Sequence, residues 1–161
     1  MVKWDSILSC DWGTSSFRLK LVTVAGHEIV GALNSGDGIA LIHDRWKAAG
    51  GFQGVAREAF YLKQLQESIH VLSDKLMTPL SGIPVLVSGM ASSSIGIREL
   101  PYASLPFSTD GANAAVQELP AGKDFPHALW MISGICSQRD IMRGEETQLI
   151  GLASLDNKMF P

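Results

Sequence analysis

The chain has 161 residues, with 13 Lys+Arg against 16 Asp+Glu, a formal net charge of −3 and 46% apolar residues. That balance excludes a disordered chain and gives no basic face for nucleic acid. The length is that of one domain, able to bury about 68–70% of its unfolded surface without a disulfide or metal staple. No apolar run approaches the roughly 20 residues of a membrane span. Met1-Val2-Lys3-Trp4-Asp5 leads straight into a strand-like run, with no signal-peptide pattern. Cys10 and Cys136 each sit in an apolar stretch. Buried thiols and a cytoplasmic location are expected, not a bridge.

Ser6-Ile7-Leu8-Ser9-Cys10 reads as a first strand, followed at once by Asp11-Trp12-Gly13-Thr14-Ser15-Ser16. Residues 17–24 alternate apolar and polar, as a half-buried strand does. Ala25-Gly26-His27 can turn the chain, and Glu28-Ile29-Val30-Gly31 can return it as a third strand. Asn34-Ser35-Gly36-Asp37-Gly38 reads as a loop, and residues 43–51 as irregular. From Val55 the period changes. Val55, Ala59, Leu62, Ile69, Leu72 and Leu76 fall on one side of an amphipathic helix of about six turns. Thr78-Pro79 and Gly82 stop it.

Pro84-Val85-Leu86-Val87 is a buried-type fourth strand, ended by Ser88-Gly89. Residues 91–126 are rich in Ser, Gly, Pro and Ala, with a short helix expected near 111–119. Ala128-Leu129-Trp130-Met131-Ile132 is a fifth strand. A last helix opens at Gly144-Glu145-Glu146, with Leu149, Ile150, Leu152, Ala153 and Leu155 as its apolar side. The order β-β-β-α-β-loop-β-α predicts a mixed α/β domain. Its sheet has five strands, an antiparallel meander followed by two parallel strands. That is the ribonuclease H-like arrangement.

Three segments carry the chemistry. In Asp11-Trp12-Gly13-Thr14-Ser15-Ser16, successive N–H groups of a tight turn can form an anion nest, and Thr14 and Ser15 add hydroxyls. Asp11 closes a strand where it can hold Mg²⁺, directly or through water. The bland alternative is an ordinary Gly/Ser/Thr turn. The segment precedes a strand, not a helix, which excludes a Walker loop or a dinucleotide fingerprint. In Arg143-Gly144-Glu145-Glu146-Thr147, one acid is explained by the helix dipole, and two behind Arg-Gly suggest a general base aimed into a cleft. Ser88-Gly89-Met90-Ala91-Ser92-Ser93-Ser94 can line a polyol pocket or be a plain flexible loop. The four histidines show no ligand spacing, and Trp12, Trp46 and Trp130 read as packing residues.

Together these segments resemble the 2-dehydro-3-deoxygalactonokinases. The resemblance rests on Cys10-Asp11-Trp12-Gly13-Thr14-Ser15-Ser16-Phe17-Arg18 and on Ser88-Gly89-Met90-Ala91-Ser92-Ser93 with Glu99-Leu100-Pro101-Tyr102 downstream. Its most specific part is Ile141-Met142-Arg143-Gly144-Glu145-Glu146-Thr147-Gln148-Leu149-Ile150-Gly151. One departure is Ile97-Arg98, where many relatives carry an aromatic. The family is part of the actin, hexokinase and heat-shock-chaperone ATPase superfamily. The resemblance implies two ribonuclease H-like lobes with ATP and Mg²⁺ between them. It also implies phosphoryl transfer to the 6-hydroxyl of 2-dehydro-3-deoxy-D-galactonate, in galactonate breakdown.

By the same resemblance, Asp11, Gly13, Thr14 and Ser15 form the first phosphate loop, assisted by Arg18. Glu146 is the expected base, with Glu145 its rival. Ser88, Gly89, Met90, Ser92 and Ser93 are expected at the sugar, and Arg98 or Arg143 at its carboxylate. Family members are about twice as long, with a second phosphate loop near a Pro-Gly-Thr-His stretch. Here the sequence stops at Lys158-Met159-Phe160-Pro161. The expectation is therefore a single N-terminal lobe, nearly inactive alone. The nucleotide would bind mainly through the missing lobe. Self-association or pairing with a C-terminal fragment would cover the bare inter-lobe surface. The competing readings are an exopolyphosphatase-like phosphatase, a non-catalytic sugar or nucleotide module, and a nuclease. The last needs clustered carboxylates on two metals and finds no support in the charge.

Overall fold

In the computed structural model, which describes residues 4–155, three strands open the chain. They are β1 (Ser6–Trp12), β2 (Phe17–Thr23) and β3 (Ile29–Ser35). Along β1, Leu8, Cys10 and Trp12 are buried and the residues between them are not, because successive side chains point to opposite faces. The turns make an antiparallel meander that sets Asp11 opposite Arg18 and Phe17 opposite Ser35. Asp11 and Trp12 thus belong to β1 itself, and Asn34 and Ser35 to β3, not to the flanking loops.

Residues 43–51, expected to be irregular, are mostly helix. α1 spans Ile39–Ala48 and buries Ile39, Ile42 and Trp46 at helical spacing. A 3-10 turn at Gly51–Gln53 follows. No side chain caps α1. Its Ile39 and Ala40 N–H groups instead donate to the Gly13 and Thr14 carbonyls, at 2.9 and 3.1 Å. A cap supplied by a distant loop leaves no local start signal in the sequence.

α2 (Arg57–Leu76) is the expected long helix. Its buried stripe is Tyr61, Leu65, Ile69 and Leu72, while Val55 and Ala59 are exposed. The helix therefore presents a face rotated from the one predicted. It ends at Met77, which adopts the left-handed conformation at φ 51°.

The remaining strands are β4 (Val85–Gly89), β5 (Ala103–Ser104), β6 (Val116–Leu119), β7 (Leu129–Ile132), β8 (Ile135–Cys136) and β9 (Ile141–Met142). Helix α3 (Glu145–Leu155) follows. The main sheet has six strands, in the order β3-β2-β1-β4-β7-β6. β4 runs parallel to β1 and to β7.

The sixth strand corrects the expected five. Residues 116–119 form an edge strand antiparallel to β7, with Leu119 opposite Leu129, not the short helix predicted there. The backbone of this segment gains a ladder with β7, whereas an isolated helical turn would bond only to itself. A second, small sheet has the order β5-β8-β9, and its two-residue strands carry no periodicity that a sequence could show. The core joins inward residues of β1, β2, β4 and β7 to the buried faces of α1 and α2. Cys10 lies in it, and burial pushes its thiol up. Cys136 is half-buried, and both cysteines are free. The Leu155 side chain and residues 156–161 lie outside the described residues.

Candidate functional site

Parallel strands end on the same side of a sheet, and ligands of open α/β sheets bind beyond those carboxyl ends. Here β1 ends at Asp11-Trp12 and β4 at Ser88-Gly89, with Asp11 beside Ser88 and Trp12 beside Gly89 in register. Gly89 has φ +88°, a conformation that L side chains rarely adopt. A Cβ there would lie 2.8 Å from the Trp12 carbonyl oxygen and 3.4 Å from Asp11 Oδ1. Gly144, at φ +103°, brings the start of α3 against the same point. A Cβ on it would stand 3.4 Å from Gly89 Cα. The two glycines let β1, β4 and α3 meet with no side chain between them.

The turn after β1 is held from behind. Gly13 N–H donates to Ser16 O at 2.9 Å, and the Gly13 and Thr14 carbonyls face α1. Among the described residues, the Thr14 and Ser15 N–H groups reach no backbone acceptor, and both residues are exposed. Successive N–H groups left without an acceptor are able to receive an anion. Arg18 Nη1 donates to Asp11 Oδ2 at 2.8 Å, with both side chains partly exposed. The strand register alone places this pair.

The two adjacent acids have different surroundings. Glu145 is exposed, and its Oε2 accepts the Arg143 N–H at 2.8 Å, as a helix-start acceptor does. Glu146 is 1% exposed. Its Oε2 accepts the Gly144 N–H at 2.7 Å, and its Oε1 accepts the Thr147 hydroxyl at 3.2 Å. Burial raises its pKa against those hydrogen bonds, and the Glu145 charge adds to the rise. A cavity of about 170 Å³ with Phe107, Ile135, Met142 and Ile150 in its wall also has Glu146 in its lining.

The predicted sugar residues separate into two groups. Ser93 Oγ donates to the Met90 carbonyl at 2.7 Å and shapes the turn. Ser92 is buried, and its Oγ has no partner among the described residues. Arg98 does not join the Gly89–Gly144 edge. Its Nε and Nη2 donate to Glu58 at 2.9 and 2.7 Å, and it lines a separate groove of about 780 Å³ with Leu62, Lys63, Leu119 and Phe125. Arg143 stays at the edge, its guanidinium carbon 4.6 Å above the Tyr102 ring centre. Tyr102 belongs to the Glu99-Leu100-Pro101-Tyr102 stretch of the middle motif. No local pattern links two residues so far apart in the chain.

The fold and this edge define a mixed α/β domain in which the carboxyl ends of β1 and β4 meet the start of α3. A family model described as 2-keto-3-deoxy-galactonokinase matches residues 11–159. The chain belongs to that family. It is 40% identical over 78 residues to the 2-dehydro-3-deoxygalactonokinase of Escherichia coli (strain K12), a match covering 45% of this chain and 24% of that one. A Rhizobium meliloti (strain 1021) protein assigned the same name is 27% identical over 151 residues, covering 89% of this chain and 41% of that one. The crystal structure of a protein assigned as 2-dehydro-3-deoxygalactonokinase from Sinorhizobium meliloti superposes with a TM-score of 0.62 at 25% identity. That superposition covers 93% of this chain and 44% of the other. The chain thus spans less than half the length of these relatives.

Proposed function

We propose that this chain is the N-terminal lobe of a two-lobe kinase, a single ribonuclease H-like domain. The kinase transfers the γ-phosphoryl group of ATP to the 6-hydroxyl of 2-dehydro-3-deoxy-D-galactonate. The observation that carries the reading is the meeting of an exposed N–H turn, a strand-end carboxylate and a buried glutamate around Gly89 and Gly144. Family membership supplies the substrate class. A cytoplasmic location and a role in galactonate breakdown follow from the same reading. So does pairing with a second lobe that brings most of the nucleotide site.

The donor set fits Mg-ATP. Asp11 offers one accessible carboxylate, and no group of three His, Cys, Asp or Glu side chains able to hold a metal is found among the described residues. Mg²⁺ usually keeps several waters and binds one or two carboxylates plus substrate phosphates, so a single carboxylate suits it. Bound there, the ion would neutralise phosphate charge. The Thr14 and Ser15 N–H groups and hydroxyls would position the phosphates. Arg18 holds Asp11 in place and adds positive charge.

Phosphoryl transfer has a loose transition state, so the protein contributes chiefly positioning and electrostatics. Glu146 would accept the proton of the attacking hydroxyl. Burial makes it a stronger base than a surface carboxylate, and two hydrogen bonds fix its direction. Glu145, turned to the backbone, is the poorer candidate. Ser88, Met90 and Ser92 flank the sugar position.

Calorimetric titration of the chain with 2-dehydro-3-deoxy-D-galactonate, then with Mg-ATP, tests the reading. Sugar binding with weak nucleotide binding is expected. When the chain is reconstituted with the C-terminal half of a relative, Glu146→Gln should lower turnover by 10²-fold or more, the usual scale of a general base. Undiminished turnover by Glu146→Gln would remove the base assignment. Full turnover by the 161-residue chain alone would remove the half-kinase reading.

A further inference from the structure

We propose that a groove beside the edge strand β6 is a second ligand site and takes a small amphipathic anion, an apolar body ended by a phosphate or a carboxylate. No residue of the groove belongs to β1, β4 or α3, so the site is separate from the kinase edge whatever that edge binds.

β6 is the last strand of the main sheet, with β4 and β7 between it and β1. Among the described residues, no further strand covers its flank. There the chain leaves a groove of about 780 Å³ between the start of α2 and residues 119–125. Leu119 and Phe125 are buried and supply apolar wall from the sheet side, and Ala59 and Leu62 supply it from α2. Ala59 is exposed and Leu62 half-buried, although both fall on the apolar side that the sequence predicts for this helix. α2 thus carries a second apolar stripe. Tyr61, Leu65, Ile69 and Leu72 fill the core, and Ala59 and Leu62 are left to the groove.

The charged residues of the groove lean positive. Lys63 comes from α2 and Lys123 from the loop after β6, and neither has an acid within 4 Å among the described residues. Glu58 is taken by Arg98, whose Nε and Nη2 donate to it at 2.9 and 2.7 Å. Asp124 is the remaining acid. Small-molecule sites are concave, roughly 300–1,000 Å³ in volume, mostly apolar and marked by a few polar groups that orient the ligand. A bare anion would pair with the lysines and leave apolar carbon wet, and a neutral apolar molecule would leave the lysines unpaired. A molecule with both parts covers the carbon and receives charge-assisted bonds from Lys63 and Lys123. A polyhydroxy acid lacks the apolar body, which separates this site from the sugar position.

The test is amide NMR of the 161-residue chain. The probes are phenyl phosphate, benzoate, inorganic phosphate and phenol, with 2-dehydro-3-deoxy-D-galactonate as the hydroxylated acid. Phenyl phosphate or benzoate should move the signals of residues 59–63 and 119–125, at about millimolar concentration for so small a probe. A response to one or to both tells which head the site takes. Inorganic phosphate, phenol and the sugar acid should each bind there about tenfold more weakly or worse, through loss of the charged pair or of the apolar body. Lys63→Glu with Lys123→Glu should weaken binding by about tenfold or more, and Lys63→Arg with Lys123→Arg should retain it. Both lysines are exposed, and backbone spectra check the fold of each variant. Groove signals moved as strongly by the sugar acid, inorganic phosphate or phenol as by phenyl phosphate would overturn the proposal. So would silence of the groove with both aromatic anions, or binding that ignores the lysine reversal.

Discussion

Glu146 is the residue on which sequence and environment act together. A carboxylate in the first turn of a helix is ordinary, and the helix dipole favours its charge. Burial acts against that, and burial wins. The consequence has a definite sign. The folded state holds the Glu146 proton more tightly than the unfolded state, whose ordinary value is 4.5. Stability from this group is therefore present at low pH and is lost as pH rises from about that value through the raised one. The stability of the parent relative to Glu146→Gln should fall across this window and then level off, measured by denaturant unfolding at a series of pH values. A difference that stays constant would mean that the carboxyl is solvated. The rival Glu145 is ranked below Glu146 in the sequence only by the family resemblance, because they are neighbours of one type. Only the direction of each side chain divides them.

At the scale of elements, α2 holds the segment that follows β4. Arg57 Nη1 donates to Ser94 O at 2.6 Å, and Tyr61 Oη donates to Ile95 O at 2.6 Å. Arg98 returns to Glu58 on the same helix. Burial pushes the Tyr61 hydroxyl up to about 12, so it remains a donor throughout the neutral range. Tyr61→Phe leaves the Ile95 carbonyl without this donor and should cost about 1 to 2 kcal/mol of stability in chemical unfolding. It should also raise amide exchange in residues 92–97 more than in β1. Equal exchange would mean that the backbone of the segment holds itself. The long helix was legible because twenty residues give its period many repeats. α1 was not, since its cap comes from the turn after β1. β6 was hidden for a related reason: an edge strand of four residues is defined by its neighbour.

At the scale of the whole molecule, α3 stands apart from the core. Leu149 is 44% exposed and Leu152 is 41% exposed, and Leu105 and Ile141 nearby are more exposed still. Leu105 and Leu149 line one apolar cavity with Ile135 and Ile150. Surfaces of this kind seek a partner. Concentration-dependent self-association is expected in sedimentation, and Leu149→Glu with Leu152→Glu should shift it toward monomer. Sedimentation as a monomer at high concentration would show that this face is satisfied without a second copy. No helix among the described residues is long and apolar enough to cross a membrane.

Local signals in the sequence suffice for the α/β class, the opening meander, the two main parallel strands and the motifs that place the chain in its family. Those features are local: period, turn chemistry and contiguous residues around Asp11, Gly89 and Glu146. Which acid is buried, which arginine meets Glu58 and where the sixth strand lies follow from tertiary packing. Each of those depends on a neighbour outside the local sequence pattern. Glu58 takes Arg98, Tyr102 receives Arg143, and β7 pairs with β6. Residue type fixes what a side chain can do, but burial and partner decide which of two equivalent candidates does it.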